Sequence, residues 1–298
     1  MTVDRVPEID QPGYTLIMVT RNRPDSLRKC LERTRAVLPP VVPIIVYDDA
    51  SADEAGIRMI VESVNKARLL RGETVVGPGE GRNRCMHQAE TEFCLSIDDD
   101  CFLNEAPDLT RWLEQRPEDR GIAAVGFRYF NVPEQSYAPD HAEAGPASAF
   151  HGGASLLRRE AVLKAGGYLA WLVYACEDTE LALRLRKLGY RIWYDPAVVV
   201  QHDHVATARD EDWATFYYVR NTYVMNVLQH GLIPGVPVGI ARALRRGLYT
   251  SVPRRTFAGL LAGLRMSRFC LRERRRLFEA SKRCPIATTG RPFGANSP

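Results

Sequence analysis

Short apolar runs, each followed by a stretch with helical spacing, limit what this chain can fold into. Tyr14–Thr20 (YTLIMVT) and VVPIIV are apolar along almost their whole length, FCLSI is apolar up to the aspartates that end it, and RLLRGETVV reads as a strand between them. Strands buried on both faces look like this. Between them, Leu27, Cys30, Leu31, Thr34 and Leu38 recur at helical spacing, with Pro24 suited to the first turn. IRMIVESVNKA and GRNRCMHQAE read as two further helices. This alternation predicts right-handed βαβ units, hence an α/β fold with a mostly parallel, Rossmann-like sheet and helices on both faces. Ligands of such sheets bind beyond the carboxyl ends of the strands. Thr20, Asp48 and the triplet Asp98, Asp99 and Asp100 all fall at those ends.

Further along, GIAAVGFRYF reads as a strand and Asn131–Phe150 as a long loop rich in Pro, Ala and acids. GGASLLRREAVLKAGGY reads as strand then helix. CEDTELALRLRKLGY reads as a helix with Leu181, Leu185 and Leu188 on one face and Gly189 at its end. RIWYDPAVVVQHDH supplies one or two more strands. The character changes near Arg209. Residues 1–205 are expected to form one α/β domain, and 206–298 a helical, basic extension with a flexible tail. Within that extension, LIPGVPVGIARAL reads as a Pro/Gly-broken link. The stretch from Arg254 to Arg283 reads as one basic helix carrying a stripe of Phe257, Leu260, Leu261, Leu264 and Leu271.

The net charge of +4 is local, because Arg242–Arg283 holds thirteen Lys or Arg against two acids, Glu273 and Glu279. No nucleic-acid recognition motif accompanies that charge, so nucleic acid is not an expected partner. The extension reads as a solvated helix packed on the core, as a surface helix at anionic lipid, or as a dimer or acceptor-binding element. No window of eighteen apolar residues exists, and the N-terminus shows no apolar signal core. The seven cysteines are scattered without a C-x-x-C pair. They are read as reduced thiols of a cytoplasmic protein, with peripheral contact at the inner face of the membrane as a second reading from the basic extension.

Three adjacent carboxylates repel one another unless something positive sits among them. Residues i and i+2 leaving a strand can point the same way, so Asp98 and Asp100 could grip one Mg²⁺ or Mn²⁺ while Asp99 faces a ribose or the turn. A solvated turn is the competing reading. Glu177–Asp178 divides similarly: Asp178 is either a helix N-cap or a general base held by a helix start.

VTRNRPDSL, VYDDASADE, GPGEGRNRC with the FCLSIDDDCF that follows, FHGGASLL and CEDTELALRLRKLGY occur in that order. The succession, over roughly Tyr14–His204, resembles the family-2 inverting nucleotide-sugar glycosyltransferases of the GT-A fold. The resemblance implies that Thr20, Asn22 and Arg23 lie against the nucleotide base. It implies that Asp48 accepts from a uracil ring and that Arg82, with Gly81 and Asn83, sits beside the diphosphate. It puts the D-x-D motif on Asp98, Asp99 and Asp100, and Gly152 and Gly153 where backbone approaches the sugar. It makes Asp178, beside Glu177, the catalytic base and His202, with His204 nearby, a metal ligand. A divalent cation (Mn²⁺ or Mg²⁺), a nucleotide-sugar donor, most simply a UDP-sugar, and an unidentified glycan, lipid-linked or natural-product acceptor follow. Cys85 departs from the family's usual Gly. A sugar nucleotidyltransferase would carry a Gly-rich, Arg-containing loop after the first strand where this chain has TRNRPDS. A catalytically inactive sugar-nucleotide-binding protein is the other alternative.

Overall fold

The computed structural model describes residues 13–114, 121–138, 143–203, 211–248 and 252–283. The strands are β1 (Tyr14–Thr20), β2 (Ile44–Asp48), β3 (Ala67–Arg71), β4 (Phe93–Ile97), β5 (Cys101–Phe102), β6 (Ile122–Asn131), β7 (Ser136–Tyr137), β8 (Gly145–Ala147), β9 (Ala154–Arg158) and β10 (Arg191–His202). The helices are α1 (Pro24–Val37), α2 (Glu54–Glu62), α3 (Pro78–Gln88), α4 (Thr110–Leu113), α5 (Arg159–Lys164), α6 (Glu177–Lys187), α7 (Glu211–His230), α8 (Leu232–Leu248), α9 (Pro253–Arg265) and α10 (Ser267–Arg283).

One sheet runs in the order β3-β2-β1-β4-β9-β6-β10-β5. Its first four strands are parallel, as the βαβ rhythm requires. Beyond them β9 runs antiparallel between β4 and β6, and β10 returns parallel to β6. Both faces are covered. Leu16, Met18, Leu31 and Leu95 pack on one side, and Ile17, Ile45, Met86 and Leu157 on the other. This is the mixed α/β sheet with a helical C-terminal region that the sequence predicts.

Several local expectations differ from the structure. The strand expected over RLLRGETVV stops at Arg71, because the Asp49 carboxylate takes the amides of Val76 (2.7 Å) and Gly77 (2.9 Å) and pulls that segment across the strand ends. The loop after Asn131 contains β7 and β8, which pair with β6 and β10; residues 139–142 lie outside the described ones. LIPGVPVGIARAL is not a broken link but most of α8. Pro234 falls in its first turn, where an amide has no helical partner to lose. Pro237 lies inside the helix, and Gly235, Gly239, Ala243 and Gly247 form its buried face, letting α8 approach its neighbours closely. A Cβ on Gly235 would sit 2.7 Å from the Asn226 carbonyl oxygen. The basic helix is two helices that break at Met266. There the Ser267 hydroxyl donates to the Leu264 carbonyl (2.7 Å) and meets Tyr223 Oη (2.7 Å). The expected apolar stripe does not pack as a unit either. Leu260 is buried, whereas Phe257, Leu261 and Leu264 are exposed.

The C-terminal helices share an apolar cluster with Leu169 and Leu172 of the preceding segment. Fully buried Asn221 of α7 donates from Nδ2 to the carbonyls of Leu172 (2.8 Å), Tyr174 (2.7 Å) and Ala175 (2.8 Å). Arg220 reaches the carbonyls of Trp171 and Leu172. The clamped loop has Val173, Ala175 and Cys176 at positive φ, a conformation that persists only when its surroundings enforce it. It leads directly into Glu177 and Asp178. Asn221→Leu removes the donor shared by the carbonyls of Leu172, Tyr174 and Ala175, with only Arg220 still reaching Leu172, so a loss of about 2–4 kcal/mol is expected. Thermal melts measure it, and turnover should fall further than the lost folded fraction explains.

Candidate active site

The three aspartates after β4 do not alternate like a strand. The Cys101 amide bonds back to the Asp98 carbonyl (3.0 Å), so 98–101 form a turn and each carboxylate meets its own partners. Asp98 turns toward α3 and pairs with Arg82. Asp99 points inward, accepting from Thr20 Oγ1 (2.8 Å) and Arg23 Nη1 (2.9 Å). Asp100 faces the other flank, taking Arg23 Nη1 at 3.0 Å. Burial pushes the Asp99 carboxyl up to about 7, with the Arg23 guanidinium opposing.

Asp100 also faces His202, although 102 residues separate them, because β5 pairs antiparallel with the end of β10 and sets Cys101 opposite His202. Asp100 Oδ1 lies 3.9 Å from His202 Nε2. The other ring nitrogen meets Asn131 Oδ1 at 3.1 Å. That contact favours a proton on Nδ1 and a lone pair on Nε2. Asp100, Cys101 and His202 each bring a ligand atom within 4.8 Å of the others. Burial drives the Cys101 thiol well above its usual range, which disfavours the thiolate form. The carboxylate and imidazole that remain fit a divalent cation that accepts mixed oxygen and nitrogen donors, Mn²⁺ more readily than Mg²⁺. Asp98 lies outside this cluster, turned to Arg82. His204 lies outside the described residues.

The opposite flank is built on α3 and α6. Asp178 does not cap α6. Cys176 occupies the N-cap in a left-handed conformation, and Asp178 in the first turn projects outward. Its Oδ2 accepts the Gly152 amide (2.8 Å), and its Oδ1 lies 3.7 Å from Arg82 Nη1. Arg82 Nη1, Asp178 Oδ1 and Glu177 Oε2 are buried and make no hydrogen bond. Buried polar atoms of this kind are normally satisfied, so their convergence marks a place for a polar ligand. Burial raises the Asp178 carboxyl, opposed by Arg82. Burial and then the Asp178 charge push Glu177 up to about 8.

Gly152 and Gly153 make room for these carboxylates. A Cβ on Gly152 would collide with Asp178 and fall 2.7 Å from Arg82 Nη1. One on Gly153 would collide with Asp98 and fall 2.7 Å from Tyr129 Oη. Gly153→Ala should therefore displace Asp98 and cost about 10–100-fold in kcat, as displacements of about 1 Å do. Steady-state kinetics with unchanged far-UV circular dichroism tests this.

The base-side residues are largely engaged within the protein. Asp48 is fully buried, accepts the Ser51 amide (3.0 Å) and pairs with Arg71. Asn22 joins two loops: its amide donates to Ser51 Oγ (2.8 Å) and its Oδ1 accepts the Ala52 amide (2.8 Å). Asn83 fastens α3 to Tyr168 through both the amide and the carbonyl of that residue (2.8 Å each). Tyr129 escapes sequence reasoning. Its ring stands edge-on to His151 (5.0 Å) and His202 (5.3 Å) between the two flanks. An aromatic in the middle of an apolar strand carries no signal that it faces a site.

A sheet whose strand ends gather carboxylates, arginines and a histidine in one crevice defines the GT-A class of nucleotide-sugar-binding folds. Solved structures share it at TM-scores that report the fold alone. GalNAc-T7 with UDP, GalNAc and Mn²⁺ matches at 0.58 and 14% identity, over 83% of this chain and 56% of that one. A mannosyltransferase from Pyrobaculum calidifontis in complex with GDP-Man and Mn²⁺ matches at 0.56 and 17%, over 94% and 88%. S. aureus TarS 1–349 with UDP-GlcNAc matches at 0.56 and 18%, over 81% and 74%. The glycosyl transferase family 2 model matches residues 15–169, and the chain belongs to that family. A pre-mycofactocin glycosyltransferase of Mycobacterium tuberculosis is 24% identical over 215 residues, 66% of this chain. The chain spans 44% of the length of that relative.

Proposed function

We propose that this chain transfers a sugar from a nucleotide diphosphate sugar, a UDP-sugar in the first instance, to an acceptor hydroxyl with inversion at the anomeric carbon. The observation that carries this reading is the convergence of Arg82 Nη1, Asp178 Oδ1 and Glu177 Oε2, buried and unbonded, beside Asp98. Relatives of the fold bind UDP, UDP-GlcNAc or GDP-Man, and some were solved with Mn²⁺.

Asp178 accepts the proton of the acceptor hydroxyl as it attacks, held in place by the Gly152 amide. Arg82, on the same flank, meets negative charge developing on the leaving diphosphate. Thr20 and Arg23 fix Asp99 and Asp100 and so shape the nucleotide side. Asp100 and His202 would hold the divalent cation. Bound there, it would supply Lewis-acid neutralisation of the diphosphate. The reaction needs no covalent intermediate, because one in-line displacement breaks the bond to phosphate and forms the bond to the acceptor oxygen.

A panel of UDP-, GDP- and dTDP-sugars with Mn²⁺ tests this through release of free nucleotide. Release from at least one donor, lost on chelation, is the expected result. Nucleotide binding by calorimetry without release from any donor would leave a binding protein in place of an enzyme.

A further inference from the structure

The C-terminal helices carry an exposed apolar surface made of residues outside the proposed site. α8 and α9 bury equivalent faces: Gly235, Gly239, Ala243 and Gly247 on one, Thr256, Gly259, Leu260 and Gly263 on the other. The small residues abut α7. Cβ atoms on Gly239 and Gly263 would both press on Tyr223, and one on Gly259 would fall 2.5 Å from the Phe216 carbonyl oxygen. Gly247 instead abuts Thr256 across the seam between α8 and α9.

At about 100° per residue, Ile233, Pro237, Ala241, Leu244 and Leu248 share an arc about 80° wide on α8. Pro253, Phe257, Leu261 and Leu264 share a similar arc on α9. On each helix the seam contact lies between the α7-facing residues and this arc. Both arcs therefore open on the side away from α7 and adjoin along the seam. The side chains are solvent-facing: Ile233 is 91% exposed, Leu248 85% and Phe257 69%. Arg245, Arg254 and Arg265, all exposed, follow each arc on its outer edge.

We propose that this face docks on an anionic lipid bilayer, with the apolar ridge entering the headgroup boundary and the flanking arginines meeting phosphates. Charge selects this occupant. A second copy packed about a two-fold axis would set the arginine borders against their own equivalents, whereas every phosphate of an anionic leaflet offers a guanidinium a partner. The surrounding sequence cannot neutralise the border, since Glu273, one of only two acids in Arg242–Arg283, pairs with Arg276. No described helix is long and apolar enough to cross a membrane, so the contact would be peripheral.

Co-sedimentation of the full chain with vesicles tests this independently of the transfer reaction. Vesicles about one-third phosphatidylglycerol should retain the protein, and pure phosphatidylcholine vesicles should not. Raised salt should weaken retention. Leu248→Glu with Phe257→Glu should lower partitioning more than about tenfold. Arg245→Gln, Arg254→Gln and Arg265→Gln should each lower it about fivefold. All five positions are exposed, so melting temperature and donor turnover should not move. Any of three results overturns the proposal: full-chain protein left in the supernatant with anionic vesicles at low salt, Leu248→Glu with Phe257→Glu or the Arg→Gln variants sedimenting like the wild type, or a dimer in light scattering that Leu248→Glu with Phe257→Glu dissociates without any vesicle binding.

Discussion

Asp178→Asn is expected to lower kcat by about 10³-fold while leaving nucleotide affinity within a few-fold, because it removes a proton acceptor and little else. The amide oxygen can still take the Gly152 amide that Asp178 Oδ2 takes now. What disappears is the buried Oδ1 that faces Arg82 at 3.7 Å. Burial raises this carboxyl, so the wild-type rate should fall as pH drops through a pKa above the ordinary carboxylate range. Glu177→Gln is the informative control. A carboxyl pushed up to about 8 is mostly protonated at neutral pH, and Gln resembles that neutral form. Glu177 binds its proton more tightly folded than unfolded, so the stability it contributes is full below about pH 4.5 and is lost as pH rises through about 8. Melts across that window should flatten in Glu177→Gln, with kcat kept within about tenfold. Near-normal kcat in Asp178→Asn would remove Asp178 from the base role.

Asp100→Asn is expected to cost about 10³-fold in transfer and to weaken Mn²⁺ binding in the presence of nucleotide, measured by electron paramagnetic resonance. The carboxylate lies between Arg23 Nη1 and His202 Nε2, and the amide cannot carry the charge that links them. His202→Gln should show the same direction with a smaller loss, since one neutral ligand is exchanged for a weaker one. Unchanged Mn²⁺ affinity in both variants would place the cation elsewhere.

The parallel half of the sheet, its helices and the gathering of Thr20, Asp48 and Asp98–Asp100 at the strand ends were legible in the sequence. Each depends on short-range periodicity and on where a strand must stop, and local chemistry sets both. The order of the motifs likewise pointed to the family.

What the aspartates do was not legible. Strand alternation would have aimed Asp98 and Asp100 the same way. The turn closed by the Cys101 amide separates them, one toward Arg82 and the other toward His202. Local pattern cannot reveal that β10 pairs with β5 and so carries His202 to Asp100, because the pairing is set by contacts about a hundred residues apart. The same holds for Asn221, which fixes the loop before Asp178 from the C-terminal helices, and for α8, which runs on through Pro237. Sequence by itself determined that Thr20, Asp48 and Asp98–Asp100 stand at the ends of their strands. Long-range packing alone decided which of them face each other, since orientation there depends on partners that no local period encodes.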